Sequence, residues 1–328
     1  MHKTPIAEWL LARIAGRERA AAIIGDLEEL AATRGWLWFW IEYVRSLISL
    51  GWCIGGSAFV LLLLYLIGRI LQLFAGKVPN LIIVAFHVIP PALFAVIHGA
   101  RIYRSRGVLV FAGLCLGVGT IFESIGLRTG FPFGHYRFTH LMGPQISGLP
   151  ILLALAYVGM GYLSWVVALA LLGGENKPLS GRRIVLLPLV ASIVMTAWDL
   201  SMEAVWADID RAWVWRDGGS YYGVPVSNFL GWLFTVYVFY QLFAFYLQNR
   251  EPIPASTDHW LLAILFYFLS AVGNLLLTVP SSLGNVFVDA TGKLWMISHI
   301  LWTSHLVSIF LMMPLSLVAW LKVSKQHA

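Results

Sequence analysis

VLVFAGLCLGVGTIFESIGLRTGFPFGHYRF, residues 108–138, begins as an uninterrupted apolar run and ends as something else. Up to Thr120 nothing in it is charged; Glu123 and Arg128 then arrive with a cluster of glycine, proline and aromatic residues. A helix needs about 20 apolar residues to cross a bilayer, so Val108–Leu127 reads as a membrane span. An ionised carboxylate is costly in hydrocarbon. Glu123 should therefore face a bundle interior, where it pairs or keeps a proton. The two readings of Glu123 are a proton donor and a structural partner of Arg128 or Arg137.

The rest of the chain fits that beginning. Its 328 residues are 59% hydrophobic and 12% charged, with a mean hydropathy of +0.79, the balance of a polytopic membrane protein. The expected fold is all-α, a transmembrane bundle of about eight helices: Ser49–Phe74, Leu81–Ala100, Val108–Leu127, Leu149–Leu172, Ile184–Leu200, Pro225–Leu247, Trp260–Val279 and Leu294–Leu321. The fifth is short and its outer boundary is undefined. Apolar and polar residues do not alternate, which argues against a β-barrel. With eight spans, 15 Lys and Arg fall on the side of the termini and 6 on the other, which places both termini in the cytoplasm. The net charge of +6 then reads as attraction to anionic membrane lipids. Basic residues scattered over short loops do not suit nucleic-acid binding. Cys53 and Cys115 both lie inside expected spans, so a disulfide framework is not expected. Neither a cleavable signal peptide nor an internal repeat is visible.

Residues 1–47 stand apart as a cytoplasmic or membrane-surface helical segment, and 48–328 form the transmembrane domain. RERAAAIIGDLEELAATRG (17–35) has helical periodicity, with Gly35 suited to its end. GWLWFWIEY follows as an interfacial aromatic cluster.

The two long outer loops, 128–148 and 201–224, fall on one side, and Gly and Pro punctuate both with turns. Topology alone thus puts Glu123, Asp199 and Asn228 at one depth. If the fifth helix continues past Leu200, Asp199 and Glu203 are four apart and share a face. Two close carboxylates in a dry site resist double ionisation, which suits general acid chemistry; the plain alternative is a solvated helix end. The Asn228 amide could orient a water or a carboxylate, or bond to turn backbone. Tyr221, Tyr222, Trp213 and Trp215 read as an aromatic belt or as walls for a flat or cationic guest. His135 and His140 are five apart in a loop, and His87, His98, His299 and His305 lie in spans, with no HxxxH or HExxH pattern. No metal site is expected. There is also no Walker motif, nor a GxSxG with a credible triad.

Glu123 with TGFPFGHYRF, then AWDL with a carboxylate four residues after its aspartate, then WVW and YYGVPVSNFLGW, resemble the bacterial and archaeal carotenoid biosynthesis family, over residues 80–320. That family includes the γ-carotene 1′-hydratases and the bisanhydrobacterioruberin hydratases. One departure is Glu203-Ala204, where the family usually has Asp-Pro; the carboxylate is kept, the turn changes, and the acid moves by one methylene. IIGDLEEL and the span entry after it also look like the helical prefix of some bacterial permease domains.

The carotenoid family resemblance implies a multi-pass protein of the bacterial inner membrane. It implies a carotenoid hydratase that adds water to the terminal double bond of an acyclic (ψ) end group and gives a tertiary alcohol. No cofactor is needed. Asp199 or Glu123 would be the acid, with Glu203 as its partner or as the base for water. Asn228 and Tyr222 would position substrate or water, as would Tyr136 and Trp198 within the matching motifs; Arg128, His135 and Arg137 would hold the loop and tune the carboxylates. The substrate is a rod about as long as the ~30 Å hydrocarbon core, so it enters from lipid. A homo-oligomer is compatible with this reading. The competing classes are an isoprenoid or lipid binder or transporter, and a regulatory membrane module.

Overall fold

The computed structural model describes residues 4, 7–8, 11–12, 17–74, 76–248, 250–278 and 285–325. The chain divides into two compact units, 1–63 and 64–328. In the first, α1 (Arg17–Arg34) ends at Gly35, whose φ of 89° stops the helix and whose N–H bonds to Ala31 O at 2.9 Å. The expected helix over 17–35 is thus present. Its apolar stripe, Ala20, Ile24, Leu27 and Ala31, is buried in one cluster with Ala7, Leu11, Phe39 and Tyr43, so the periodicity is used within the unit. α2 (Trp36–Gln72) runs through the division between the units.

The second unit is a helical bundle. α3 (Asn80–Thr129) carries one non-helical residue, Arg104 (φ 61°, ψ 168°), which kinks it into two arms. The connection expected at 101–107 is therefore a kink inside one long element. After it come β1 (Tyr136–Phe138), a 3-10 turn (His140–Met142), β2 (Gln145–Ile146), β3 (Leu149–Pro150), α4 (Ile151–Leu171) and α5 (Arg183–Ala204). A π-helical turn, Val205–Ile209, extends α5, so the fifth helix does run past Leu200. β4 (Trp213–Trp215), α6 (Val226–Leu247), α7 (Thr257–Leu275), β5 (Val286–Val288), β6 (Leu294–Met296) and α8 (Ile297–Val307) follow. A π-helical turn (Ser308–Met312) joins α8 to α9 (Met313–Lys325). Among the described residues six helices are long and apolar enough to cross a membrane, and Gly56–Gln72 is a shorter apolar helix.

α4 is the central helix. In its most apolar stretch 78% is buried, against 50% or less for the other five candidates. It packs against α3, α5, α7 and α9. Gly159 sets how closely α4 meets α3: a Cβ there would lie 2.8 Å from Ala92 N and from Pro91 C, so only glycine lets the two backbones touch.

The loops hold a feature that was not expected. β1 and β4 pair antiparallel, with Tyr136 opposite Trp215, Arg137 opposite Val214 and Phe138 opposite Trp213. The all-α expectation holds for the bundle, but the two long loops 128–148 and 201–224 are joined by a two-stranded ribbon. Period two places Tyr136 and Phe138 on one face with Trp213 and Trp215, and that face is turned inward.

Candidate active site

The C-terminal end of α3 builds the first wall. Glu123 is 4% exposed. Two turns later Gly130 adopts φ 79° and caps the helix through a 2.8 Å bond to Gly126 O. The chain turns back through a cis Phe131–Pro132 peptide and Gly134 (φ 115°). The turn rests on α6: Ser227 Oγ donates to Phe133 O at 2.9 Å, and a Cβ at Gly231 would meet Pro132 C at 2.9 Å. This return brings the Tyr136 hydroxyl onto Glu123 Oε2. Gly126, one turn beyond Glu123, makes room, since a Cβ there would lie 3.1 Å from that hydroxyl. Tyr157 of α4 donates to the other oxygen, Oε1, at 2.7 Å. Burial first, and the neighbouring Glu123 second, push the Tyr136 hydroxyl far above its ordinary range, so it remains a proton donor.

α5 supplies the second wall. Glu203 is 1% exposed, and its Oε1 accepts two indole N–H groups, from Trp213 at 2.6 Å and Trp215 at 2.8 Å. The WVW strand places both tryptophans on one face because residues two apart in a strand point the same way. One turn earlier Asp199 is fully buried; Asn228 Nδ2 donates to its Oδ2 at 3.3 Å, and Oδ1 has no partner. Among the described residues none of the three carboxylates forms an ion pair.

Between these walls lies a cavity of about 40 Å³. Glu123, Glu203, Asn228, Tyr136 and Trp198 line it together with Trp213, Trp215 and Trp232. A water needs roughly 10–15 Å³ of such space, so about three fit. The wall is otherwise aromatic and apolar, which suits a hydrocarbon with a developing positive charge.

The sequence-expected residues divide cleanly. Glu123, Glu203, Asn228, Tyr136 and Trp198 meet at the cavity, and Asp199 stands behind Asn228. Arg128 and Arg137 are exposed, so the partners of Glu123 are tyrosines and not arginines. His135 is exposed and bonds to Asp217 at 2.7 Å. Tyr222 reaches away, to Thr303 Oγ1 at 2.5 Å and His299 O at 3.2 Å. Loop residues next to a motif in sequence need not point inward, because alternate strand positions face opposite sides. The sequence reading did not single out Tyr157 or Trp232, which stack at 4.7 Å with ring planes 7° apart. Trp232 carried a signal, lying four residues after Asn228 on the same helix face. Tyr157 carried only its hydroxyl in an apolar run.

A family model described as "Carotenoid biosynthesis protein" matches residues 77–297, two thirds of the chain. The chain belongs to that family. Every residue of the cavity falls inside the matched range. A relative named bisanhydrobacterioruberin hydratase, from Haloarcula japonica, is 30% identical over 139 residues. That alignment covers 41% of this chain and 45% of the relative, so the chain matches less than half of the relative's length. No solved structure gives a significant match.

Proposed function

We propose that this carotenoid biosynthesis protein is a hydratase that adds water across the terminal double bond of an acyclic carotenoid end group. The observation that carries the reading is the convergence of Glu123 and Glu203, with no cationic partner among the described residues, on a small aromatic-walled cavity with room for water. Family membership and the hydratase-named relative support the substrate class.

Glu123 is the proton donor. Its proton goes to the CH carbon of the alkene, whose π pair forms the new C–H bond. The charge left on the dimethyl carbon is a tertiary cation, which the faces of Trp198, Trp213, Trp215 and Trp232 and the carboxylate of Glu203 stabilise. A water in the cavity attacks this carbon, and Glu203 takes the proton that the water gives up. The two indole donors hold Glu203 through Oε1, and the two tyrosine donors on Glu123 stabilise the carboxylate that forms as its proton leaves. A proton returns from Glu203 to Glu123 through the remaining water, and the net change is one water added. Asp199 acts on Asn228 and is a positioning residue. Its partnerless Oδ1 suits a protonated carboxyl better than a buried anion.

The cavity is smaller than a branched hydrocarbon end, so substrate enters by displacing part of the aromatic wall. In this reading the two arms of α3 and the Gly56–Gln72 helix also span, giving eight crossings with both termini on the cytoplasmic side of a bacterial inner membrane. The test is co-expression with a lycopene-producing pathway. Pigment heavier by one water per reacted end supports the hydratase. Unmodified pigment retained on the purified protein would instead identify a binder.

A further inference from the structure

The opposite end of the bundle holds a second and larger cavity, of about 390 Å³. The second arm of α3, α4, α5 and α6 alternate in direction, so each gives one end to each cavity. Arg104 and Arg106 of α3 are here and Glu123 is at the other end; for α4 the pair is Leu169 and Leu153; for α5, Arg183 and Glu203; for α6, Tyr246 and Asn228. Arg104 and Glu123 are nineteen positions apart, about 28 Å at 1.5 Å per residue. The two sites are therefore separated by about the thickness of a hydrocarbon core.

Five cations line this cavity, Arg104, Arg106, Lys177, Arg183 and Arg250, against one carboxylate, Glu251. Among the described residues Arg104 and Arg106 have no hydrogen-bond or ion-pair partner. Among the described residues Lys177, Arg183 and Arg250 hydrogen-bond to the backbone carbonyls of Gly173, Gly174 and Tyr246, and Arg250 also lies over the Tyr246 ring, 4.4 Å from its centroid. Trp260 is 1% exposed, lines the cavity, and its indole N–H has no acceptor. That nitrogen is shut off from solvent, and the Trp260 ring forms part of the apolar floor of the cavity. A basic excess on one face of a membrane protein accounts for lysines and arginines in these connections. It does not account for their convergence on one ligand-sized space with an apolar floor.

We infer that this cavity binds a phosphate-bearing anion. Phosphate oxygens accept bidentate bonds from guanidinium groups and carry the charge that five cations call for. Two sources share that chemistry: the headgroup of an anionic phospholipid and a soluble diphosphate. This inference stands apart from the hydratase reading and from the carboxylate cavity.

The experiment uses the full-length protein in a neutral detergent. One arm titrates phosphatidylglycerol against phosphatidylcholine and counts bound lipid by native mass spectrometry. The other adds inorganic pyrophosphate and follows the thermal midpoint. Selective retention of phosphatidylglycerol assigns the lipid source, and a rise in the midpoint with pyrophosphate assigns the soluble one. In the responding arm Arg106→Gln weakens binding by about fivefold, and Arg106→Gln/Lys177→Gln by about that factor again. Arg106→Lys keeps the charge and most of the affinity, and separates lost charge from lost fold. A wild-type protein that responds in neither arm overturns the inference, as does an Arg106→Gln/Lys177→Gln variant that binds like wild type.

Discussion

Tyr157 donates a 2.7 Å hydrogen bond to Glu123 Oε1 across the interface of α3 and α4. The ring of Tyr157 is held independently, stacked on Trp232 and lying against Gly119, where a Cβ would come within 3.3 Å of it. Tyr157→Phe therefore removes the hydroxyl and keeps the packing. The bond strengthens as Glu123 gives up its proton and becomes a carboxylate, where a hydrogen bond is worth about 1.5–3 kcal/mol. We expect the ratio of hydrated to unhydrated carotenoid in a lycopene-producing host to fall by roughly ten- to a hundredfold, with the thermal midpoint lowered in line with the about 1–3 kcal/mol that an unsatisfied buried Oε1 costs. Glu123→Gln removes the donor itself and should lower the ratio by about 10²–10⁴-fold. Full activity in both variants would end the role of Glu123.

Glu203 offers a cleaner separation of geometry from charge. In Glu203→Gln the new amide carbonyl can still accept both indole N–H groups, so this variant should fold like wild type and fail to take a proton from water. Glu203→Asp shortens the side chain by one methylene and draws the carboxylate away from bonds of 2.6 and 2.8 Å. It should lose stability as well as activity, by about 1–3 kcal/mol for a poorly satisfied buried carboxylate. Midpoints should rank Glu203→Gln above Glu203→Asp, and product ratios should rank Glu203→Asp, which keeps a displaced base, above Glu203→Gln; identical behaviour in both assays would contradict this account of the site.

The parts legible in the sequence are those that rest on period and composition. The apolar runs marked the bundle, and helical spacing put Asp199 and Glu203 on one face once α5 passed Leu200. Two boundaries were not legible. Arg101, Arg104 and Arg106 look like a loop, yet the chain there needs only one non-helical residue to turn. The β1–β4 ribbon pairs Arg137 with Val214, 77 positions on, and no local pattern announces so distant a pairing. That ribbon decides which loop residues face the cavity. It turns Tyr136 in and Arg137 out, a distinction that a motif read as a string does not make.

Gly126 tests the return of the turn onto Glu123. In an ordinary helix interior, replacing Gly with Ala stabilises by about 0.8–1.0 kcal/mol. Here the added Cβ would lie 2.9 Å from Phe133 Cδ2 and 3.1 Å from the Tyr136 hydroxyl, and Phe133 is itself fully buried. Overpacking of this kind costs about 1–3 kcal/mol, so the net sign should be destabilising. Because Tyr136 is displaced from Glu123, hydration should fall further than the midpoint suggests. A Gly126→Ala protein more stable than wild type and fully active would refute the packing described.

Asp289 sets a pH dependence outside the membrane spans. Its Oδ1 accepts from Thr291 N at 2.9 Å, Thr291 Oγ1 at 2.6 Å and Lys293 N at 3.0 Å, and its Oδ2 from Trp295 Nε1 at 2.8 Å. Burial pushes this carboxyl up, but the four donors outweigh it and hold the pKa below the ordinary value. A depressed folded-state pKa gives stability that is present above the unfolded value, about 3.9, and lost as pH falls through the folded one. Asp289→Asn places an amide N–H against a donor, so at pH 7 it should destabilise the β5–β6 hairpin by about 1–3 kcal/mol. As pH drops below about 4 the wild-type advantage should shrink, because the protonated carboxyl also presents a donor. Thermal midpoints of the two proteins between pH 7 and about pH 3.5, in one detergent and at fixed salt, measure the gap across that range. A gap that widens on acidification would reverse the sign and remove Asp289 as its source.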